Sequence, residues 1–162
     1  EVCYKNNINF IKIYGMVGLP SEGDEDILEL IELIQKLKKL YPKIEITLSL
    51  NTFIPKAHTP LERSEALSSF ESKKRMQFIK KQLLKTAKIR VSSSKWDYIQ
   101  AVLSRGDRRL HNILVKFYEY GSSLGSFNRA FKDLKDSLPS SDWYALRKRP
   151  VKETLPWQHI VY

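Results

Sequence analysis

Cysteine is nearly absent: Cys3 is the only one in 162 residues. That excludes a disulfide framework. It also excludes an iron–sulfur cluster held by this chain by itself, since such clusters take several thiolates. A reducing cytoplasm is the expected compartment. No apolar run approaches the roughly 18 residues that a membrane span needs, so no membrane partner is expected. The chain opens on Glu1 with neither a Met nor a basic leader, as expected of an excised domain. No Gly-Lys-Ser/Thr follows its glycines, which excludes a P-loop. His58 has no second ligand at a suitable spacing, so no metal is expected there. Internal repeats and low-complexity tracts are lacking as well.

Acidic residues are outnumbered, 18 against 28 Lys and Arg, for a net charge of +10. The excess is uneven. Residues 1–62 carry −2, residues 63–94 carry +7 and residues 95–162 carry +5. The basic part therefore begins where the strand-rich part ends. A solvated surface explains such a stretch, and so does attraction to RNA or another acidic partner.

Ile8 to Val17 is apolar and β-branched and reads as a buried strand, stopped by Gly18-Leu-Pro20. Ser21 is the expected N-cap of a helix from about 23 to 40, with Ile27, Leu30, Ile31, Ile34 and Leu37 at helical spacing. Ile44 to Phe53 is the next strand. Strand, helix and strand in this span predict a parallel βαβ unit. Residues 65–88 read as one long basic helix with Leu67, Phe70, Met76, Ile79, Leu83 and Leu84 as apolar positions. Ile89-Arg-Val91 reads as a short strand, and helices follow over about 95–103, 107–120 and 127–138. The tail from Pro150 is expected to be irregular and packed by Trp157. Three segments result: 1–62, the strand-helix-strand part; 63–94, the basic helix and connector; and 95–162, a helical carboxyl-terminal domain. Parallel sheets want more than two strands, so further strands are expected upstream of Glu1.

Both strands change character at their carboxyl ends, the edge at which α/β proteins bind ligands. The first ends in Gly15-Met-Val-Gly-Leu-Pro-Ser-Glu22. Its glycines permit close backbone approach, and the amides opening the next helix can receive an anion. A turn that needs Gly and Pro for geometry alone is the competing reading. The second ends in Asn51-Thr-Phe-Ile-Pro-Lys-Ala-His-Thr-Pro60. Asn51, Lys56 and His58 are polar groups just past a buried strand, Pro55 and Pro60 stiffen the loop, and Phe53 offers a flat face to a nucleobase. A rigid loop without a ligand is the alternative.

Lys12 to Asp26, with its Gly-Leu-Pro-x-Glu core, resembles the fifth barrel strand and following helix of the radical S-adenosylmethionine enzymes, the Fe–S oxidoreductases. Phe53-Ile-Pro-Lys-Ala-His-Thr-Pro60 resembles the sixth strand. Gln100 to Leu110 and Leu155-Pro-Trp-Gln-His-Ile160 resemble the carboxyl-terminal region of the branch that carries an amino-terminal cobalamin-binding domain. The resemblance implies an α/β fold: the last two parallel strands of a partial (β/α)6 TIM-like barrel, followed by a mostly helical carboxyl-terminal domain. It implies S-adenosylmethionine beside Gly15, Gly18, Pro20 and Glu22 at the fifth strand, and beside Asn51, Phe53, Ile54, Pro55, Lys56 and His58 at the sixth. Gly15, Gly18 and Glu22 would lie near its methionyl or ribose part, and Phe53, Ile54 and Pro55 near adenine. It implies a 4Fe–4S cluster in the parent, whose three-cysteine motif this chain lacks, and leaves cobalamin in the parent open. No catalytic residue or metal ligand is assigned here. The parent is expected to be an enzyme and this chain alone inactive, with no tightly bound cofactor. Its expected partners are the upstream part of its own barrel and, through residues 63–94, RNA.

Overall fold

The computed structural model describes residues 2–160. After a single helical turn, α1 (Val2–Lys5), the chain runs β1 (Phe10–Val17), α2 (Asp24–Leu40), β2 (Glu45–Thr52), α3 (Ser69–Gln82) and β3 (Lys88–Val91). The helices α4 (Ser94–Ser104), α5 (Leu110–Glu119), α6 (Leu124–Asp133) and α7 (Ser141–Ala145) follow. No described helix is long and apolar enough to cross a membrane. The chain divides into two compact units. The first joins residues 1–53 to 70–94, and the second joins 54–69 to 95–162.

The first unit is a three-stranded sheet in the order β1-β2-β3, with both pairs parallel. Eight residue pairs hold β1 to β2, from Phe10 opposite Glu45 to Val17 opposite Thr52. A parallel pair needs a long crossover, which α2 and α3 supply in turn. The short strand read at Ile89–Val91 is β3, and it joins the two long strands in one sheet. With four residues, β3 is too short to carry a period, and its pairing with Thr47–Leu50 defines it.

α2 presents Ile27, Ile31 and Ile34 as a one-sided stripe against the sheet. Ile46, Leu48 and Leu50 of β2 meet that stripe, and Met76, Ile79 and Leu83 pack into the same core. Ile34, Leu48, Leu50, Ile79 and Leu83 are fully buried. Each contributes about 1.5–3 kcal/mol from burial alone. The helix begins at Asp24, close to its expected start, but Ser21 is not its N-cap. Ser21 sits at φ +68, and Gly23 is the N-cap, its amide donating to the Asp26 carboxylate at 2.7 Å. Residues 65–88 are not one helix. Residues 54–69 belong to the second unit, and the turns after Gln82 return the chain to the sheet for β3. Phe70 and Leu84, expected inside, are 72% and 71% exposed.

The second unit packs Ile99, Val102, Leu110, Ile113, Phe127, Ala130 and Tyr144 into its own core. Ser123 caps α6 and Ser140 caps α7, each hydroxyl accepting an amide three residues on. Trp157, 7% exposed, packs the irregular tail as its sequence suggests.

Leu48→Ala removes a side chain from the fully buried centre of the sheet. Urea unfolding should show a loss of about 2–5 kcal/mol. Leu33→Ala, at a position 51% exposed on α2, should stay within about 0.5 kcal/mol of the parent chain.

Candidate functional site

The carboxyl end of β1 is built around Gly18, whose φ of +87 suits glycine and strains any residue with a Cβ. Its amide donates to a Glu22 carboxylate oxygen at 2.9 Å. Arg75 of α3 donates to the same oxygen, and the Glu22 side chain is only 6% exposed. The loop is thus closed internally by a carboxylate shared between an amide and a guanidinium. Gly15, Met16, Leu19, Pro20, Glu22 and Leu30 line a cavity of about 380 Å³ beside this loop. The structure therefore brings Gly15, Pro20 and Glu22 to one place. Gly15 has a packing reason as well. A Cβ there would stand 2.9 Å from Leu50 Cδ2 inside the core.

Alternation sends the other residues of β1 to the opposite face of the sheet. Lys12, Thr47 and Lys88 form one row across the three strands, and Tyr14, Ser49 and Arg90 the next. Met16 and Asn51 end the face at its carboxyl edge, where Asn51 is exposed. Tyr14 and Met16 are 69% and 47% exposed, so β1 is buried on one face only. Lys12 lies 4.6 Å from the Tyr14 ring centroid. Sequence reading passed over Tyr14, Met16 and Arg90 as candidates. The period-2 pattern of Lys12, Tyr14 and Met16 is a signal for Tyr14 and Met16; Arg90 joins them only through the pairing of β3 with β2.

β2 is tied to α3 by the buried Thr52 and Ser72 hydroxyls, 2.6 Å apart. Phe53 follows, 8% exposed, its amide donating to the Val17 carbonyl at 2.7 Å.

Ile54, Pro55, Lys56 and His58 lie in the second unit. Ile54 packs on the helical core and Pro55 is fully buried. The Lys56 ammonium donates to Ser104 Oγ at 2.8 Å, and burial lowers its pKa. His58 adopts φ +57 and donates its amide to Glu62 at 2.8 Å. Trp157 Nε1 donates to the same Glu62 oxygen at 2.7 Å. That indole bond is the main cause of a Glu62 pKa below the ordinary carboxylate range, with the His58 amide and Arg63 adding to it. The structure thereby joins two motifs far apart in sequence, His58-Thr-Pro60 and Pro156-Trp-Gln158. They border a cavity of about 310 Å³.

Arginines fasten the rest of the tail. Arg63 donates to the carbonyls of Pro150 and Glu153 at 2.6 and 3.0 Å. Arg147 grips the Glu153 carboxylate with two bonds of 2.6 Å. Arg105 and Arg149, 1% and 3% exposed, donate to backbone carbonyls, and Arg149 also pairs with the Glu153 carboxylate at 3.3 Å. Desolvation lowers both pKa values, Arg105 to about 10. Among the described residues no three His, Cys, Asp or Glu converge on a point where a metal could bind. The donor set of this chain, with one cysteine, does not fit a 4Fe–4S cluster.

Two outcomes follow from this geometry. Arg75→Met leaves the enclosed Glu22 carboxylate without its cation and should cost about 1–3 kcal/mol in urea unfolding. In the second unit, the carboxyls of Glu62, Glu153 and Asp107 are all held below their ordinary pKa values. Their stabilisation is complete above the unfolded carboxylate pKa and is lost as pH falls through the lower folded values. Trp157→Phe removes the main cause at Glu62. It should move the acid-unfolding midpoint of the chain upward, read by circular dichroism.

No family model matches the chain, and no solved structure matches it. An uncharacterized protein of Methanocaldococcus jannaschii is 39% identical over 140 residues, which cover 85% of this chain and 29% of that protein. The chain thus spans less than a third of the length of this relative.

Proposed function

We propose that this chain forms the carboxyl-terminal strands and helical extension of a radical S-adenosylmethionine enzyme. Its sheet would complete a partial barrel with strands from elsewhere in the protein. The observation that carries the reading is the open edge of β1. Among the described residues that strand pairs on one side only, with β2, while the cavity lined by Gly15, Pro20 and Glu22 lies beside its carboxyl end. A parallel sheet is normally covered on both faces, and Tyr14 and Met16 leave one face of β1 exposed. The Gly-Leu-Pro-x-Glu and Phe-Ile-Pro-Lys-Ala-His-Thr-Pro motifs supply the family. The small share of the archaeal relative that the chain covers leaves room for the remaining strands.

In this reading the whole protein cleaves S-adenosylmethionine reductively to methionine and a 5′-deoxyadenosyl radical, with a 4Fe–4S cluster held by residues outside this chain as electron source. The share of this chain is binding and shielding. Gly18 and the Glu22–Arg75 pair fix the loop that closes one side of the cofactor. Met16, Leu19 and Pro20 offer apolar surface that excludes water. The Asn51 amide offers a donor and an acceptor at the carboxyl edge of the sheet. Cobalamin use belongs to a segment outside these residues.

The test uses the whole protein, loaded with iron and sulfide without oxygen and reduced with dithionite. Mass spectrometry should detect 5′-deoxyadenosine and methionine. Asn51→Ala should weaken S-adenosylmethionine binding about tenfold, equal to about 1.4 kcal/mol, with iron content unchanged. An iron-loaded, folded protein that releases no 5′-deoxyadenosine overturns the assignment.

A further inference from the structure

The amino ends of the strands carry a second feature, at the opposite edge of the sheet from the proposed cofactor site. A cavity of about 480 Å³ opens there. Phe10, Glu45, Leu84, Lys85, Lys88 and Arg90 are among its walls. Lys38 also borders it, but its ammonium donates to the Pro42 and Ile44 carbonyls at 2.9 and 2.8 Å. Three uncommitted cations therefore share the cavity with one carboxylate, Glu45. Among the described residues Lys85, Lys88 and Arg90 form no ion pair.

These cations belong to a wider field. Residues 70–94 carry eight Lys and Arg and one Glu. Lys80 and Lys81, in the last turn of α3, lead toward Lys85. Charge alone would attract any polyanion. The apolar surface narrows the choice. Phe10 is 53% exposed and Leu84 71% exposed, both at the cavity. An exposed ring within a concave basic surface suits a chain that alternates flat bases with phosphates. An acidic protein would satisfy the cations and leave the ring without a counterpart. A lipid headgroup would likewise satisfy the cations and offer the ring no flat partner.

We propose that this cavity binds single-stranded nucleic acid, with a base against Phe10 and the flanking phosphates on Lys85, Lys88 and Arg90. The lysines of α3 extend the phosphate track. Hydrogen-bond readout of sequence is not part of the assignment, because stacking and phosphate contact accept any base.

The experiment is fluorescence anisotropy with the 162-residue chain and labelled RNA and DNA strands of about 15 nucleotides, within the usual site sizes. Inorganic polyphosphate and phosphatidylserine vesicles are run beside them. The triple variant Lys85→Gln, Lys88→Gln, Arg90→Gln should bind at least tenfold more weakly. Its slope of log K against log salt should flatten by about 2, from about 0.7 per cation. Phe10→Ala should weaken binding about tenfold at an unchanged salt slope. Lys36→Gln, on the exposed side of α2, should change nothing. The RNA and DNA arms decide which strand is preferred. Folded variants that bind like the parent chain overturn the proposal. So does polyphosphate that binds as tightly as the strands, or a preference for vesicles over both.

Discussion

The parallel register of β1 on β2 is the constraint on which the first unit depends. Eight consecutive pairs fix it, and a slip of one residue would turn every side chain of β1 to the wrong face. In the observed register Ile11 and Ile13 join the helix-covered core, while Lys12, Tyr14 and Met16 take the other side. Gly15 is the point at which the register is tightest, because Leu50 occupies the space that a Cβ would need. The crossover helices follow from the same constraint, since parallel neighbours cannot be joined by a tight turn.

The two faces of the sheet are therefore unlike. One is covered by isoleucines of α2 and by Met76, Ile79 and Leu83. The other carries Lys12, Tyr14, Ser49, Asn51, Lys88 and Arg90, and Phe10, Tyr14 and Met16 of β1 stay open to solvent. A face so polar and so exposed suits ligand binding better than core packing. Its carboxyl edge and its amino edge differ in chemistry, and the two proposals follow that difference. Glycine, proline and Asn51 mark the first edge, and cations around an exposed ring mark the second.

Much of this was legible before any coordinates. The apolar runs gave both long strands, the isoleucine spacing gave α2, and Trp157 gave the packed tail. Three things were not legible, each for a physical reason. Ile89 to Val91 reads as a short strand, but so few residues show no period, and only the pairing with β2 places β3 in the sheet. Helical spacing alone cannot tell Leu83, which is buried, from Leu84, which is not, because both lie where the chain leaves α3. The role of Glu22 depends on Arg75, 53 residues away, and that of Glu62 on Trp157, 95 residues away. Of the candidate positions, the structure gathers Gly15, Pro20 and Glu22 at one cavity. Lys56 and His58 fall in the other unit, where Ser104 and Glu62 hold them.

The central claim is that β1 is an interior strand waiting for a neighbour. Hydrogen exchange read amide by amide tests it most directly. In the 162-residue chain the amides of β2 should be the most protected, and alternate amides of β1, those turned away from β2, should exchange rapidly. In the whole protein those same β1 amides should become as slow as the ones in β2. Fast exchange along the outer edge of β1 in both proteins would contradict the account and leave the sheet complete at three strands.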